Sequence, residues 1–204
     1  MKVNEIVRRT LADAALRGDR RWENLADIAH ASKCSVASAH MATRHLVQIG
    51  AVQTYGRGGL SVLDPERVTT VLAVERDLPR DTLTTTTRAG AEALIAGLEI
   101  YALGGTTAAV HHLGGRNTVA DLGQRLLYAP ADADVSELPI GDEVLIVSMD
   151  AVAQAGWRDG YSSLAQTYAD LFAQPGWQAS EFRRALWRKL FDIDDWSRAE
   201  QSIA

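Results

Sequence analysis

The sequence predicts an α+β fold with two domains, an N-terminal three-helix unit ending in a β-hairpin and a mixed α/β domain after it. The chain of 204 residues is long enough for two small hydrophobic cores. Residues 1–63 hold nine Lys and Arg against five Asp and Glu, a net charge of +4, whereas residues 64–204 hold twelve against twenty-one, a net charge of −9. Opposite charge on the two segments indicates that only the first is suited to attract an anionic partner.

The composition excludes several classes of protein. Apolar residues make up 47% and charged residues 23%, which is typical of a globular protein. No run approaches the roughly 18 apolar residues of a membrane span, and Arg8, Arg9 and Asp13 interrupt the place of a signal sequence. We therefore expect a cytoplasmic protein with no membrane partner. The single cysteine, Cys34, cannot form an internal disulfide or a cysteine-based zinc site, and we expect no metal and no cofactor.

The N-terminal segment contains three helical patterns. The first helix is expected from Asn4, as its N-cap, to Gly18, and the second over residues 23–31. Ser35 is the expected N-cap of a third helix over residues 36–48. Helical spacing predicts an inward face made of Val36, Ala39, Thr43, Leu46 and Val47. On that register His40 lies near the buried side, as a packed core histidine.

Two strand-like segments follow the third helix. Residues 52–55 and 60–63 flank a glycine-rich tip at residues 56–59 and are expected to pair as a hairpin. Three helices followed by a two-stranded wing give the order of a winged helix-turn-helix, which places its third helix in a DNA major groove. The sequence therefore predicts a DNA-binding domain over residues 1–64. Winged helices also serve as protein-interaction modules, which is the alternative for this segment.

The third helix and the wing carry the candidate contacts with double-stranded DNA. A recognition helix reads base edges from its first two turns, while the wing holds phosphates. We expect Arg44 to donate to a guanine or a phosphate, and Arg57 to reach a phosphate or the minor groove. Ser35 is first of all a helix cap. The full set of candidate residues is Ser35, Ala37, Ser38, Met41, Arg44, His45, Tyr55 and Arg57.

The rest of the chain is expected to form a connector and a second domain. Residues 65–81 predict a connecting helix and a turn-rich linker, and residues 82–204 predict the mixed domain. The threonines at 84–87 allow either a strand or a capped helix start. Helices are expected at residues 89–98 and 106–113 and strands at 125–128 and 144–147. A later helix is expected to present Leu164, Tyr168, Leu171 and Phe172 on one face, and the last helix carries Phe182, Leu186 and Leu190.

Two soft motifs in the second domain carry a family resemblance. Gly104-Gly105 lies in the segment from Tyr101 to Gly114, and a later helix contains Gln166-x-Tyr168-x-Asp170-Leu171. This succession behind a winged helix resembles the AbiEi family of antitoxins, transcriptional regulators of type IV toxin–antitoxin systems. The resemblance implies binding to inverted repeats in the protein's own promoter, self-association on DNA, and a functional link to a nucleotidyltransferase toxin without a stable complex. It also implies a C-terminal domain with a degenerate nucleotidyltransferase-like outline.

An active nucleotidyltransferase with a DNA-binding module is one alternative. Nucleotidyl transfer needs paired carboxylates soon after the Gly-Gly helix start, to hold two magnesium ions about 4 Å apart. Asp121 stands near the expected place, but Gly123 occupies the second ligand position. Asp132 and Asp134 have the right spacing but are expected in a surface loop. We therefore expect no catalytic residues and no enzyme; the other alternative is a stand-alone phage or plasmid repressor.

Overall fold

The computed structural model describes residues 1–56, 58–117, 119 and 121–192. Arg57, a candidate DNA contact at the hairpin tip, lies outside the described residues. Helices and two β-sheets together form a mixed fold, so the predicted α+β class is confirmed. Among the described residues, no helix combines the length and the apolar character that a membrane span requires.

Three helices and a small sheet make up the first part of the chain. The sheet is antiparallel with strand order β1-β3-β2, so β3 lies in its centre. Strand β1 was not predicted, because it has two residues and is defined only by its pairing, Arg21 with Ser61. The elements are α1 (Val3–Leu16), β1 (Arg21–Trp22), α2 (Leu25–Ala31), α3 (Val36–Gln48), β2 (Val52–Tyr55) and β3 (Gly59–Val62).

The first two helices begin elsewhere than predicted. Lys2, not Asn4, is the N-cap of α1, since the helix already includes Val3. Helix α2 begins at Leu25 because the Asn24 side chain accepts a hydrogen bond from the Asp27 amide at 3.0 Å and caps it. Glu23, predicted as the start of this helix, lies between β1 and the Asn24 cap.

Helix α3 has the predicted ends but a different inward face. Its Ser35 Oγ accepts a hydrogen bond from the Ser38 amide at 3.0 Å, which confirms the cap. The buried residues are Ala39, Ala42, Thr43 and Leu46. Val36, His40 and Val47 are exposed, so their predicted inward placement was wrong. The helix turns a narrower face to α1 and α2 than the apolar pattern indicates, and these three side chains flank it.

A connector and a second sheet follow. Strand order is β4-β7-β6-β5, with β6 and β7 parallel and the two outer pairs antiparallel. The predicted connecting helix and the strands at 125–128 and 144–147 are confirmed. The elements are α4 (Pro65–Glu75), α5 (Leu78–Asp81), β4 (Thr82–Thr86), α6 (Arg88–Gly97), β5 (Ala102–Gly104), α7 (Gly105–His112), β6 (Arg125–Ala129), β7 (Val144–Ser148), α8 (Ala153–Gly156), α9 (Leu164–Ala173) and α10 (Trp177–Phe191).

The threonines at 84–87 form both a strand and a helix cap, the two alternatives that the sequence left open. Residues up to Thr86 extend as β4 and pair with β7. Thr87 then caps α6, because its side chain accepts a hydrogen bond from the Gly90 amide at 3.2 Å. β-Branched residues favour the strand, and a threonine at its end also supplies the cap oxygen.

Helix α9 lies at the centre of the molecule. It contacts α4, α7, α10 and α1 and is buried on nearly all sides, including its polar residues Gln166, Thr167 and Asp170. Phe172 is 43% exposed, so its predicted place on the inward face was wrong. One hydrophobic cluster joins Val7 and Leu46 to Tyr168 and Leu186. The connector over residues 65–81 therefore separates the two sheets, whereas the main core extends across it.

Buried ion pairs tie α1 and the connector to the second part of the chain. Arg9 forms a bidentate salt bridge with Asp150, in which Nη1 donates to Oδ2 at 2.6 Å and Nη2 donates to Oδ1 at 2.8 Å. Arg76 Nε donates to Asp170 Oδ1 at 2.8 Å. The Tyr128 hydroxyl donates to the other Asp170 oxygen at 2.6 Å. Such charges are tolerated inside a protein only when paired and hydrogen-bonded, so these pairs fix how the elements meet.

Candidate nucleic-acid interface

The outward face of α3 is defined by the direction opposite its buried residues. The helix advances about 100° per residue, and the four buried side chains cover one arc of roughly that width. The opposite arc carries Ala37, Met41, Arg44 and Gln48, spaced by four, three and four residues. All four are exposed. They form a single row along the helix, which we call the α3 row.

Three of the predicted contact residues lie in the α3 row, and the other three of this helix lie beside it. Ala37, Met41 and Arg44 point outward, and His45 is exposed at one edge. Ser35 is exposed but its hydroxyl is bonded to the Ser38 amide and lies 2.9 Å from the Ser38 hydroxyl. Ser38 is half-buried. These two serines therefore hold the start of the helix and present little free hydrogen-bonding capacity.

Arg44 is the cation of the α3 row. Its side chain is exposed, and it makes no ion pair or side-chain hydrogen bond with any described residue. A free guanidinium offers five N–H donors in a planar fork that matches two acceptors on a guanine edge or a phosphate. Sequence reasoning missed Gln48, which closes the row, because it lies in the last turn.

The Tyr55 side chain stabilises the packing of the hairpin against β1. Its hydroxyl donates to the Trp22 carbonyl at 2.9 Å, which ties β2 to β1 across the central strand. The Arg21 guanidinium lies 4.8 Å from the centre of the Tyr55 ring. Gly59 makes room for this crossing, since a Cβ there would lie 2.7 Å from the ring. Tyr55 thus holds Arg21 at the sheet surface, a cation that the sequence could not identify before β1 was known.

Burial alters which charges of the first segment face solvent. Arg8 and Arg9 are buried in pairs with Glu75 and Asp150, so neither can attract a distant anion. Glu5 and Asp13 of the same segment are also buried. Removing two cations and two anions leaves the net charge of residues 1–63 at +4. The predicted basic character of this segment therefore does not depend on the buried arginines.

The carboxylates considered for metal binding lie in exposed loops. Asp121 accepts a hydrogen bond from the Gly123 amide at 2.9 Å, and Asp134 accepts one from the Ser136 amide at 3.0 Å. Both are the local turns that aspartate forms with its own backbone. Among the described residues, no group of three or more His, Cys, Asp and Glu side chains could hold a metal ion.

The two adjacent histidines of α7 also have structural partners. His112 Nε2 lies 2.8 Å from the Ser162 carbonyl, and the His111 ring stacks on Tyr161 with centroids 4.1 Å apart. Burial lowers the pKa of His112, so its ring is neutral at pH 7 and donates to the carbonyl. This histidine pair holds α7 against the loop before α9.

Comparisons with protein-family models, with curated proteins and with solved structures find no match to this chain. Its function is therefore inferred from its own residues and from the geometry of the α3 row.

Proposed function

We propose that the protein is a sequence-specific DNA-binding transcriptional regulator. Residues 1–64 would act as a winged helix-turn-helix that lays α3 in the major groove. The observation that carries this proposal is the α3 row, a continuous line of exposed side chains on a helix whose opposite face is fully packed. An exposed helix face with one free arginine, on the basic segment of the chain, suits a groove lined by phosphates.

Different parts of the first segment would make different contacts with DNA. Arg44 would reach base edges or a phosphate from the middle of α3, while β1, beside the hairpin, carries Arg21, and Arg57 follows Gly56 in the sequence. Phosphate contacts would set the position of the protein, and the row would read the sequence. One helix with one arginine gives modest affinity for a half-site, so two copies on inverted half-sites would be needed for firm occupancy of a promoter.

The finer proposal is an antitoxin that represses its own toxin–antitoxin operon. It rests on the AbiEi-like succession of the winged helix, the Gly104-Gly105 segment and the helix around Tyr168. On this proposal the second domain keeps a nucleotidyltransferase-like outline without paired carboxylates, and its partner is a nucleotidyltransferase toxin. A neighbouring gene for such a toxin supports it; a stand-alone repressor would have none.

Arg44→Ala is expected to weaken binding to the protein's own upstream DNA by roughly 5- to 150-fold, since one good arginine contact to a base is worth about 1–3 kcal/mol. The measurement is fluorescence anisotropy with a labelled duplex and the full chain. Arg88→Ala removes another exposed arginine, paired with Glu143, from α6, and serves as the charge-matched control. Equal affinities of the two variants would contradict the assignment of α3 as the reading helix.

Arg57→Ala is expected to lower the salt dependence of binding. If Arg57 neutralises one phosphate, its loss reduces the slope of log K against log salt by about 1. Titrations at several salt concentrations measure this slope. A slope equal to that of the unaltered protein would remove Arg57 from the phosphate contacts while leaving the role of Arg44 intact.

A further inference from the structure

The exposed surface of α3 is more apolar than a solvated helix requires. Ten large hydrophobic side chains are exposed in the described part of the chain, and three of them belong to this one helix of 13 residues. They are Val36, Met41 and Val47, which are 49%, 55% and 36% exposed. Val36 and Val47 flank the buried face, whereas Met41 lies in the α3 row beside Ala37. The outward row therefore carries apolar surface of its own, in Ala37 and Met41.

The α3 row divides into an apolar half and a polar half. Ala37 and Met41 occupy the first two turns, and Arg44 and Gln48 the last two. The rise of about 1.5 Å per residue puts Met41 about 6 Å beyond Ala37 along the axis, and Arg44 about 4.5 Å further on. Base pairs are stacked about 3.4 Å apart. The three side chains therefore cover about three base-pair steps.

A DNA partner is favoured by the charges around this face. The net charge of residues 1–63 is +4, and Arg44 stands in the middle of the row without a carboxylate partner among the described residues. A protein surface that covered the row would have to supply an acidic group at its centre and apolar groups beside it. The major groove supplies guanine acceptors beside thymine methyl groups, which is the same combination.

We infer that the half-site presents thymine methyl groups to Ala37 and Met41 and a guanine to Arg44, within about four base pairs. This inference rests on the proposed function. The thymine C5-methyl is the apolar feature of the major groove. A cytosine amine held against Ala37 or Met41 would lose its water without gaining a hydrogen-bond acceptor, so the row discriminates against C·G pairs there.

The test is a selection of binding sites from a random duplex library with the full chain. Enriched sites should share one or two thymines adjoining a guanine. In the best site, each thymine is then replaced by deoxyuridine, which removes only the methyl group. We expect about a fourfold loss of affinity at one or two positions, the equivalent of one buried methyl group.

Two variants separate the contacts. Met41→Ser should bind thymine and deoxyuridine equally at one position and keep the guanine preference. Arg44→Ala should lose the guanine preference and keep the difference between thymine and deoxyuridine. Enriched sites without thymine, or full tolerance of deoxyuridine at every position, would overturn this inference alone. A library with no enriched sequence would overturn the proposed function itself, and this inference with it.

Discussion

Arg76→Ala is expected to lower the free energy of unfolding by about 3–5 kcal/mol, because it leaves buried carboxylates without their cation. The Arg76 side chain has no exposed surface, and neither has Asp170, to which it donates. It also lies against Asp81 at 2.5 Å and donates to the Tyr128 hydroxyl at 3.3 Å. Urea unfolding followed by circular dichroism measures the loss.

A control and a second variant keep this prediction testable. Arg88→Ala breaks an ion pair whose partners are 54% and 44% exposed, and exposed pairs are worth about 0–1 kcal/mol. Arg76→Met combined with Asp170→Asn removes both charges of the buried pair. We expect the double variant to lose less free energy of unfolding than the losses of Arg76→Met and Asp170→Asn added together. Each single variant leaves one charge of the pair buried without its partner, whereas the double variant leaves neither. Strict additivity would show that Arg76 and Asp170 are not coupled.

Tyr128 supplies a hydrogen-bond donor to the buried Asp170 carboxylate. Burial raises the pKa of the Tyr128 phenol, and the neighbouring Asp170 carboxylate raises it further. The phenol therefore stays protonated at neutral pH and donates to Asp170. It also accepts a hydrogen bond from Gln166 Nε2 at 2.7 Å. This cluster joins the connector, β6 and α9 at one point.

Arg9→Met is the second change with a large expected effect, about 3–5 kcal/mol at pH 7. The Arg9 and Asp150 side chains are 4% and 6% exposed, and they join α1 to the segment after β7. Methionine preserves much of the side-chain length and removes the charge. The exposed pair of Arg184 with Glu181 on α10 offers the matched control, Arg184→Met. A loss below about 1 kcal/mol would show that Asp150 finds solvent or another donor.

The cost of Arg9→Met should shrink as the pH falls. Burial alone would raise the pKa of Asp150, but hydrogen bonds from Arg9 and its positive charge lower it below the ordinary value. In the unaltered protein this stabilisation is present above about pH 3.9, the unfolded pKa, and is lost as the pH falls through the folded pKa. Without Arg9, burial raises the pKa of Asp150, so the variant takes up a proton on folding and becomes relatively more stable in acid. The urea midpoints of the variant and of the unaltered protein should therefore differ less at pH 4 than at pH 7.

These buried pairs also bear on the proposed DNA-binding surface. Helix α3 packs on α1, and α1 is held to the second part of the chain through Arg9 and through Asp13, which accepts a hydrogen bond from the Ala165 amide at 3.1 Å. The Asp13 carboxylate thus caps the first turn of α9. The position of the α3 row relative to the rest of the molecule is set by α1.

The helix starts that were correctly predicted depend on short-range hydrogen bonds. Ser35 and Thr87 each cap a helix by accepting from an amide three residues later. Asp64 also caps α4 in this way, at 3.0 Å from the Arg67 amide, although it was not predicted as a cap. The hairpin also follows from local signals, since glycines lie between two strand-like runs. Such features can be predicted because both partners are close in sequence.

The starts of α1 and α2 were local errors. The other errors occur where a distant neighbour decides the outcome. Strand β1 exists only because β3 lies beside it, 40 residues later in the Arg21–Ser61 pair. His40 and Val47 are exposed because α1 and α2 cover a narrower arc of α3 than its apolar residues span. Phe172 is exposed for a similar reason, since the neighbours of α9 leave that position uncovered.

The sequence by itself determined the order and type of most elements, the caps of α3 and α6, the hairpin and the basic character of the first segment. Tertiary structure alone decided which side of α3 faces outward, that the core extends across the connector, and which charges are buried. The physical reason is range: caps and periodicity act within a few residues, whereas Arg9 and Asp150 are separated by 141 positions. A charge in the sequence is equally compatible with solvent and with a buried partner until folding brings that partner to it.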